Sequence, residues 1–248
     1  MTIWTLEGLK KGRKSAPWPP ANLHGAKGLP VPEAGSCPAG CSDCIESCPT
    51  DAISCTQTLA IDHGACTGCG ICVFTCSDRI LKFSSALSVA ADSRDALLVS
   101  KGARPAISSS RVMNWPLRRS LFIRHVDAGS CNGCESELGA LDSPYYNLHR
   151  FGFSFTPSPR FADILLVTGT VTYPMIEPLR ETYRAMPDPK FVIATGVCAI
   201  SGGSNGGGYN SHSGLVGIVP VDLWIPGCPP HPVTVIQALL EFTGRGKR

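Results

Sequence analysis

Apolar positions along the chain change character near its middle. In the second half they form short continuous runs: Leu121-Phe122-Ile123-Arg124-His125-Val126, Ile164-Leu165-Leu166-Val167 and Phe191-Val192-Ile193-Ala194. Runs of this length with few polar interruptions suit strands buried on both faces of a parallel sheet. Residues 219–225, interrupted only by Pro220, read as a fourth strand. Residues 173–186, with Pro174 near the start, and 233–242 carry helical spacing. Strands separated by helices predict a parallel sheet covered on both sides, with ligands held outside the carboxyl ends of the strands.

In the first half the apolar runs are shorter. Ala52-Ile53-Ser54 and Ile80-Leu81-Lys82-Phe83 each follow a row of cysteines, so residues 36–83 read as an internal repeat of loop, half-turn and strand. Residues 84–116 read as a connector, with Gly102-Ala103-Arg104-Pro105 and Ser108-Ser109-Ser110 near its end. The expected division is therefore 1–110 and 111–248. Residues 1–35 are basic and then proline-rich, which suggests an irregular arm lying on its own chain or on a neighbour. The other reading is a short membrane-surface anchor, since Ile3, Trp4, Leu6 and Leu9 lie among lysines.

Composition narrows the class. A chain of 248 residues, 43% hydrophobic and 17% charged, has enough apolar content for packed cores. A formal charge of +3 is too small to argue for nucleic acid. Thirteen cysteines are too many for an ordinary core, but a secreted disulfide scaffold would be shorter and led by a signal sequence. Residues 1–8 lack an apolar signal region. No stretch approaches the roughly 18 apolar residues of a membrane span. A reducing, cytoplasmic setting is the expectation. Arg118-Arg119 mimics a twin-arginine signal but lies mid-chain, just before a predicted strand.

The cysteine spacing carries the chemistry. Eight cysteines form two nested rows, Cys37-x3-Cys41-x2-Cys44-x3-Cys48-Pro49 and Cys66-x2-Cys69-x2-Cys72-x3-Cys76. Three close sulfurs in a row can grip one inorganic core while the fourth reaches the other, the arrangement of a bacterial-type α+β ferredoxin with two 4Fe–4S clusters. By that rule Cys37, Cys41, Cys44 and Cys76 would hold the first cluster. Cys66, Cys69, Cys72 and Cys48 would hold the second.

Four more cysteines, Cys131, Cys134, Cys198 and Cys228, each follow a predicted strand, so their loops converge at one sheet edge. Such a set suits a third 4Fe–4S cluster or a zinc ion. Two of the ligands stand alone rather than in Cys-x2-Cys knuckles, which favours the cluster. Cys55 is left over and is expected as a buried apolar thiol. The glycine-rich segment 202–208 lacks the Lys-Ser/Thr of a phosphate loop and reads as a flexible segment ordered by a partner. His231 could hydrogen-bond a cluster ligand or simply begin a helix. Arg118, Arg119, Arg124 and Arg150 are candidates for a subunit interface, or for plain surface residues.

Residues 118–243 resemble the small subunit of the nickel–iron hydrogenase and respiratory complex I superfamily. The resemblance rests on Cys131-Asn132-Gly133-Cys134, on Gly196-Val197-Cys198, and on the Val219–Pro230 stretch with Asp222-Leu223-Trp224-Ile225-Pro226-Gly227-Cys228-Pro229 at its heart. Cys-x2-Cys in the first motif, in place of two adjacent cysteines, points to the membrane-bound group 4 hydrogenases of the formate hydrogenlyase type. Residues 12–83 resemble the separate ferredoxin subunit of the same complexes, with one extra residue between Cys37 and Cys41 and Ser77 where a proline is usual.

The resemblance implies an α/β flavodoxin-like domain preceded by a ferredoxin domain. It implies an electron-transfer subunit of an oxidoreductase, not catalytic alone, with three 4Fe–4S clusters. Its partners would be a large hydrogenase-like catalytic subunit, membrane subunits and an electron-donor or acceptor protein, on the cytoplasmic face of the inner membrane. It also hints that Glu137 serves a proton path, although an acid near a helix start is ordinary. Competing readings are the same role in a complex I-like enzyme without nickel, a stand-alone ferredoxin-type carrier, and a zinc-structured binding module.

Overall fold

The structure, a computed structural model, describes residues 10, 18–19, 28–33, 41–55, 58–76, 80–101, 105–107 and 120–245. Its first unit runs β1 (Pro30–Pro32), α1 (Asp43–Glu46), β2 (Ile53–Cys55), β3 (Leu59–Asp62), α2 (Ile71–Thr75) and β4 (Leu81–Phe83). Strand–helix–strand thus occurs twice; the sequence repeat predicts the second strand of each unit, and the leading strands are additional. The first strand pairs antiparallel with the last, and β2 pairs antiparallel with β3. The core is small: Leu29, Ile53, Ile61 and Leu81 pack with the thiols of Cys44, Cys66 and Cys72. Units of about 60 residues are marginal on apolar burial alone.

Three strands here lie outside the sequence expectation. β1, β3 and β5 (Leu98–Ser100) are three or four residues long, too short for a period-two signal. β5 comes from the connector and pairs antiparallel with β3. Cys55 corrects an expectation: it lies on β2 as a surface thiol, not a buried one.

The second unit runs β6 (Leu121–Asp127), α3 (Gly133–Ala140), β7 (Phe153–Phe155), β8 (Ile164–Thr168), α4 (Tyr173–Ala185), β9 (Phe191–Thr195), α5 (Val197–Ser201), β10 (Leu223–Ile225) and α6 (Pro232–Phe242). The strands form one sheet in the order β10-β9-β8-β6-β7, and every pairing is parallel. Counted from β6 this is the 2-1-3-4-5 order of flavodoxin-like sheets. Central β8 is buried at all five positions, which explains its unbroken apolar sequence.

Alternation along the strands builds two cores. Ile123, Leu166, Ile193 and Ile225 face α3 and α6, where Leu138, Val235, Leu239 and Phe242 cover them. Val126, Leu165, Val167 and Val192 face the other way, onto Leu179 of α4 and Ile200 of α5. Each such side chain contributes about 1.5–3 kcal/mol when fully buried. Two expectations need correction. Only 223–225 of the stretch 219–225 is strand, because pairing begins at Asp222, whose N–H donates to Val192 O and whose carboxylate accepts the Val192 N–H. Pro220, without an N–H, lies in the irregular approach. Edge strand β7 was missed because Phe-Ser-Phe is too short to read.

The connector ties the units together. Ala91 and Trp224 exchange both backbone hydrogen bonds, at 3.0 and 2.9 Å. Arg94 grips Asp62 with two parallel bonds of 2.7 and 2.6 Å, and Ser88 donates to Glu241 at 2.6 Å. Gly64 fits tightly between them, since an added Cβ would stand 2.6 Å from the Arg94 guanidinium and 2.9 Å from Ile200 Cγ2. Trp18, from the N-terminal arm, donates through Nε1 to Gln237 at 3.0 Å and packs edge-on against Phe151. This fits the reading of an arm lying on its own chain. Ile3, Trp4, Leu6 and Leu9 lie outside the described residues, as do Arg118, Arg119 and the boundary at 110–111.

Candidate metal centres

Cys131 follows β6, Cys134 opens α3, Cys198 lies in α5 after β9, and Cys228 follows β10. All four therefore stand at the carboxyl edge of the sheet. Asn132 begins α3 in the left-handed conformation at φ 68°, turning Cys134 inward while Cys131 stays exposed. Backbone crowds the sulfurs at positions that exclude a side chain. A Cβ on Gly196, which has φ +87°, would stand 2.7 Å from Cys134 Sγ, and one on Gly203 would stand 3.0 Å from Cys198 Sγ. The glycine-rich segment is a folded part of this site: Gly203–Asn205 forms a 3-10 turn against Cys198.

Burial pushes the Cys134 thiol up to about 12, and the charges of Glu135, Cys198, Cys228 and Cys131 add to the effect. Burial likewise raises Cys198 to about 11, with Cys228, Cys131 and Glu135 contributing. Cys228 is raised by burial and then by Cys131. The four sulfurs thus feel one another, and a buried thiolate set of this kind calls for a cationic core. Zinc draws its sulfurs to about 2.3 Å from one point. Among the described residues no three Cys, His, Asp or Glu side chains are grouped to hold a single ion. Four thiolates, two of them standing alone in the sequence rather than in knuckles, suit a core of several metal atoms.

The N-terminal unit repeats the pattern. Burial raises Cys66 to about 12, opposed by the Gly68 N–H and reinforced by Cys72, Cys48 and Cys69. Cys72 is raised by burial, then by Cys48 and Cys69. These four sulfurs line one cavity with Pro30 and Ile61. They are the set that the nested spacing predicts, with Cys48 reaching across from the first row. Of the other set, Cys44 on α1 is buried, while Cys41 before it and Cys76 at the end of α2 are half-buried. Cys37 lies outside the described residues.

The residues beside the third site are partly unexpected. Glu135, in the first turn of α3, accepts hydrogen bonds from Ser130 Oγ at 2.7 Å and from Thr168 Oγ1. His125 Nε2 lies 2.9 Å from Thr168 Oγ1 and 3.6 Å from Glu135. Because the Thr168 hydroxyl gives its only proton to Glu135, His125 Nε2 is the donor in its bond to Thr168. Burial lowers the His125 pKa, against the pull of Glu135 and Asp127. The sequence held one signal for this triad: His125 falls on the inward face of β6, in step with Ile123.

Glu137 is half-buried and close enough to bear on the ionisation of Tyr146 and His231. His231 caps α6, its Nδ1 accepting the Val233 N–H at 3.2 Å, and its ring stands edge-on to Tyr146. That is the helix-start reading. Arg150 lies over the rings of Phe151 and Trp18, 4.5 and 5.7 Å from their centroids, and so belongs to the docked arm rather than to the sulfur edge.

Residues 131–242 match the family described as NADH ubiquinone oxidoreductase, 20 Kd subunit. The chain is 47% identical over 128 residues to formate hydrogenlyase subunit 7 of Escherichia coli, a match covering 52% of this chain and 50% of that one. It thus spans about half the length of that relative. It is 43% identical over 122 residues to a probable membrane-bound hydrogenase subunit of Pyrococcus furiosus, covering 49% of this chain and 73% of the other. To an NADH-quinone oxidoreductase subunit from Bacteroides thetaiotaomicron it is 40% identical over 137 residues, covering 55% and 68%. Among the described residues no helix is long and apolar enough to cross a membrane.

Proposed function

The chain belongs to the family of 20 Kd NADH ubiquinone oxidoreductase subunits, and on that premise we propose that it is the electron-transfer subunit of a membrane-associated, hydrogenase-like oxidoreductase. Cys37, Cys41, Cys44 and Cys76 would hold a first 4Fe–4S cluster in a ferredoxin domain within 1–110. Cys48, Cys66, Cys69 and Cys72 would hold a second. Cys131, Cys134, Cys198 and Cys228 would hold a third in the flavodoxin-like domain of 111–248. Each cluster supplies a site for one electron, with a potential set by its surroundings.

The chain's own part is spacing and shielding. The observation that carries the reading is the contact of Gly64 with Ile200. Gly64 is two residues before Cys66 and Ile200 two after Cys198, so the segments that carry the second and third sulfur sets meet at the junction. Arg94 and the Ala91–Trp224 bonds clamp that junction, which fixes the distance an electron must cross. At the far side Cys131 and Cys228 are exposed. That edge is where a large catalytic partner would dock, with membrane subunits and an electron donor or acceptor completing an assembly on the cytoplasmic face of the membrane.

A second reading keeps this role in a complex I-like enzyme without nickel; it is favoured by the likeness to the quinone oxidoreductase subunit. Both readings need the second cluster as the middle step. In the assembled complex, Cys66→Ser should stop reduction of the third cluster by electrons entering at the N-terminal pair, followed by rapid-freeze electron paramagnetic resonance. Unchanged transfer in a variant lacking the second cluster contradicts the relay.

A further inference from the structure

Thr195 ends β9 with its side chain 0% exposed, and its hydroxyl has no hydrogen-bond partner. A buried hydroxyl left unpaired loses its hydration with nothing in return, so natural cores rarely keep one without a reason. A threonine offers one donor and could be replaced by valine of nearly the same shape.

The side chain's direction follows from the strand. Val192 and Ala194 face the α4 and α5 side, and Ile193 faces the α3 and α6 side. Thr195 is in step with Ile193 and so faces α3. The parallel register sets Val167 beside Ala194, which brings Thr168 level with Thr195 on the same face. Thr168 already reaches α3 there through Glu135. The next residue after Thr195 is Gly196, whose backbone comes so close to Cys134 that a Cβ would stand 2.7 Å from its sulfur. An unpaired donor therefore points into the layer that holds Cys134.

We propose that the Thr195 hydroxyl donates a hydrogen bond to a sulfide of the third cluster, beside Cys134, and raises that cluster's reduction potential. The inference rests on the reading that Cys131, Cys134, Cys198 and Cys228 hold a cluster. A donor to a cluster sulfur stabilises the reduced, more negative state, and hydrogen bonds of this kind are among the main determinants of cluster potentials. Thr195 is thus a positioning and tuning residue; it is not a ligand.

The test uses the full chain carrying its clusters, in a redox titration followed by electron paramagnetic resonance. Thr195→Val should lower the midpoint of one cluster, on the order of a tenfold change in its reduction equilibrium or about 59 mV. The other two clusters are internal controls and should not move. Thr195→Ser restores the donor and should restore the midpoint. In deuterium oxide, the parent protein and Thr195→Ser should show an exchangeable deuteron coupled to the third cluster, and Thr195→Val should lose it. A third cluster present with the parent potential and an unchanged deuteron signal in Thr195→Val overturns the inference alone. Loss of only about four irons in the parent protein itself, leaving two clusters, overturns the reading beneath it as well.

Discussion

Glu137 stands three residues after Cys134 on α3, so the two share a face of the helix. Unlike Glu135, which is fixed by Ser130 and Thr168, Glu137 acts on Tyr146 and His231 at the mouth of α6. We propose that this carboxylate, near a phenol and an imidazole, passes protons toward a docked partner. Glu137→Gln keeps the shape and removes the exchange. It should slow proton-coupled turnover of the complex by roughly tenfold or more while leaving the cluster signals unchanged. Unchanged turnover would return Glu137 to the role of an ordinary acid near a helix start. His231 is spoken for as the cap of α6, which leaves Glu137 as the freer of the two groups.

At the scale of elements, function depends on turns that only glycine can make. Gly196 links β9 to α5 at φ +87°, against Cys134. Gly196→Ala would impose roughly 1–3 kcal/mol of backbone strain, since φ 87° with ψ 152° is a region that essentially only glycine adopts, and push the new methyl into the sulfur. The expected outcome is loss of the third cluster, read as about four fewer irons per chain, with the N-terminal pair retained. Full iron content in this variant would contradict the close packing at that edge. The same turns explain what the sequence made legible. Four strands of the parallel sheet and its two long helices are legible from apolar runs and helical spacing, most clearly β8 and β9, where burial on both faces leaves no charged interruption. The convergence of Cys131, Cys134, Cys198 and Cys228 followed from their place after strands. Short strands such as β5 and β7 were invisible, since three residues carry no period. The pairing of β5 with β3, and of Ala91 with Trp224, depends on backbone groups that no side-chain pattern reports. Cys55 lies two residues after Ile53 and so shares its face by strand alternation, but β2 leaves the core at its last two positions and exposes the thiol.

At the scale of the molecule, two units, each with its own thiol-lined site, are joined by the connector. The N-terminal unit has a small aliphatic core into which Cys44, Cys66 and Cys72 are packed, and the parallel sheet presents four thiols at one edge. Burial raises Cys66 and Cys134 each to about 12, so neither set ionises readily without a cationic core to hold. The connector, through β5, Arg94 and Ala91, ties the N-terminal unit to the parallel sheet. The most direct test is the iron and acid-labile sulfide content of the anaerobically purified chain, taken together with its spectrum after full reduction. Three clusters predict about twelve irons and twelve sulfides, with three reducible signals. A folded, colourless chain, or one saturating at a single zinc ion, would contradict the account.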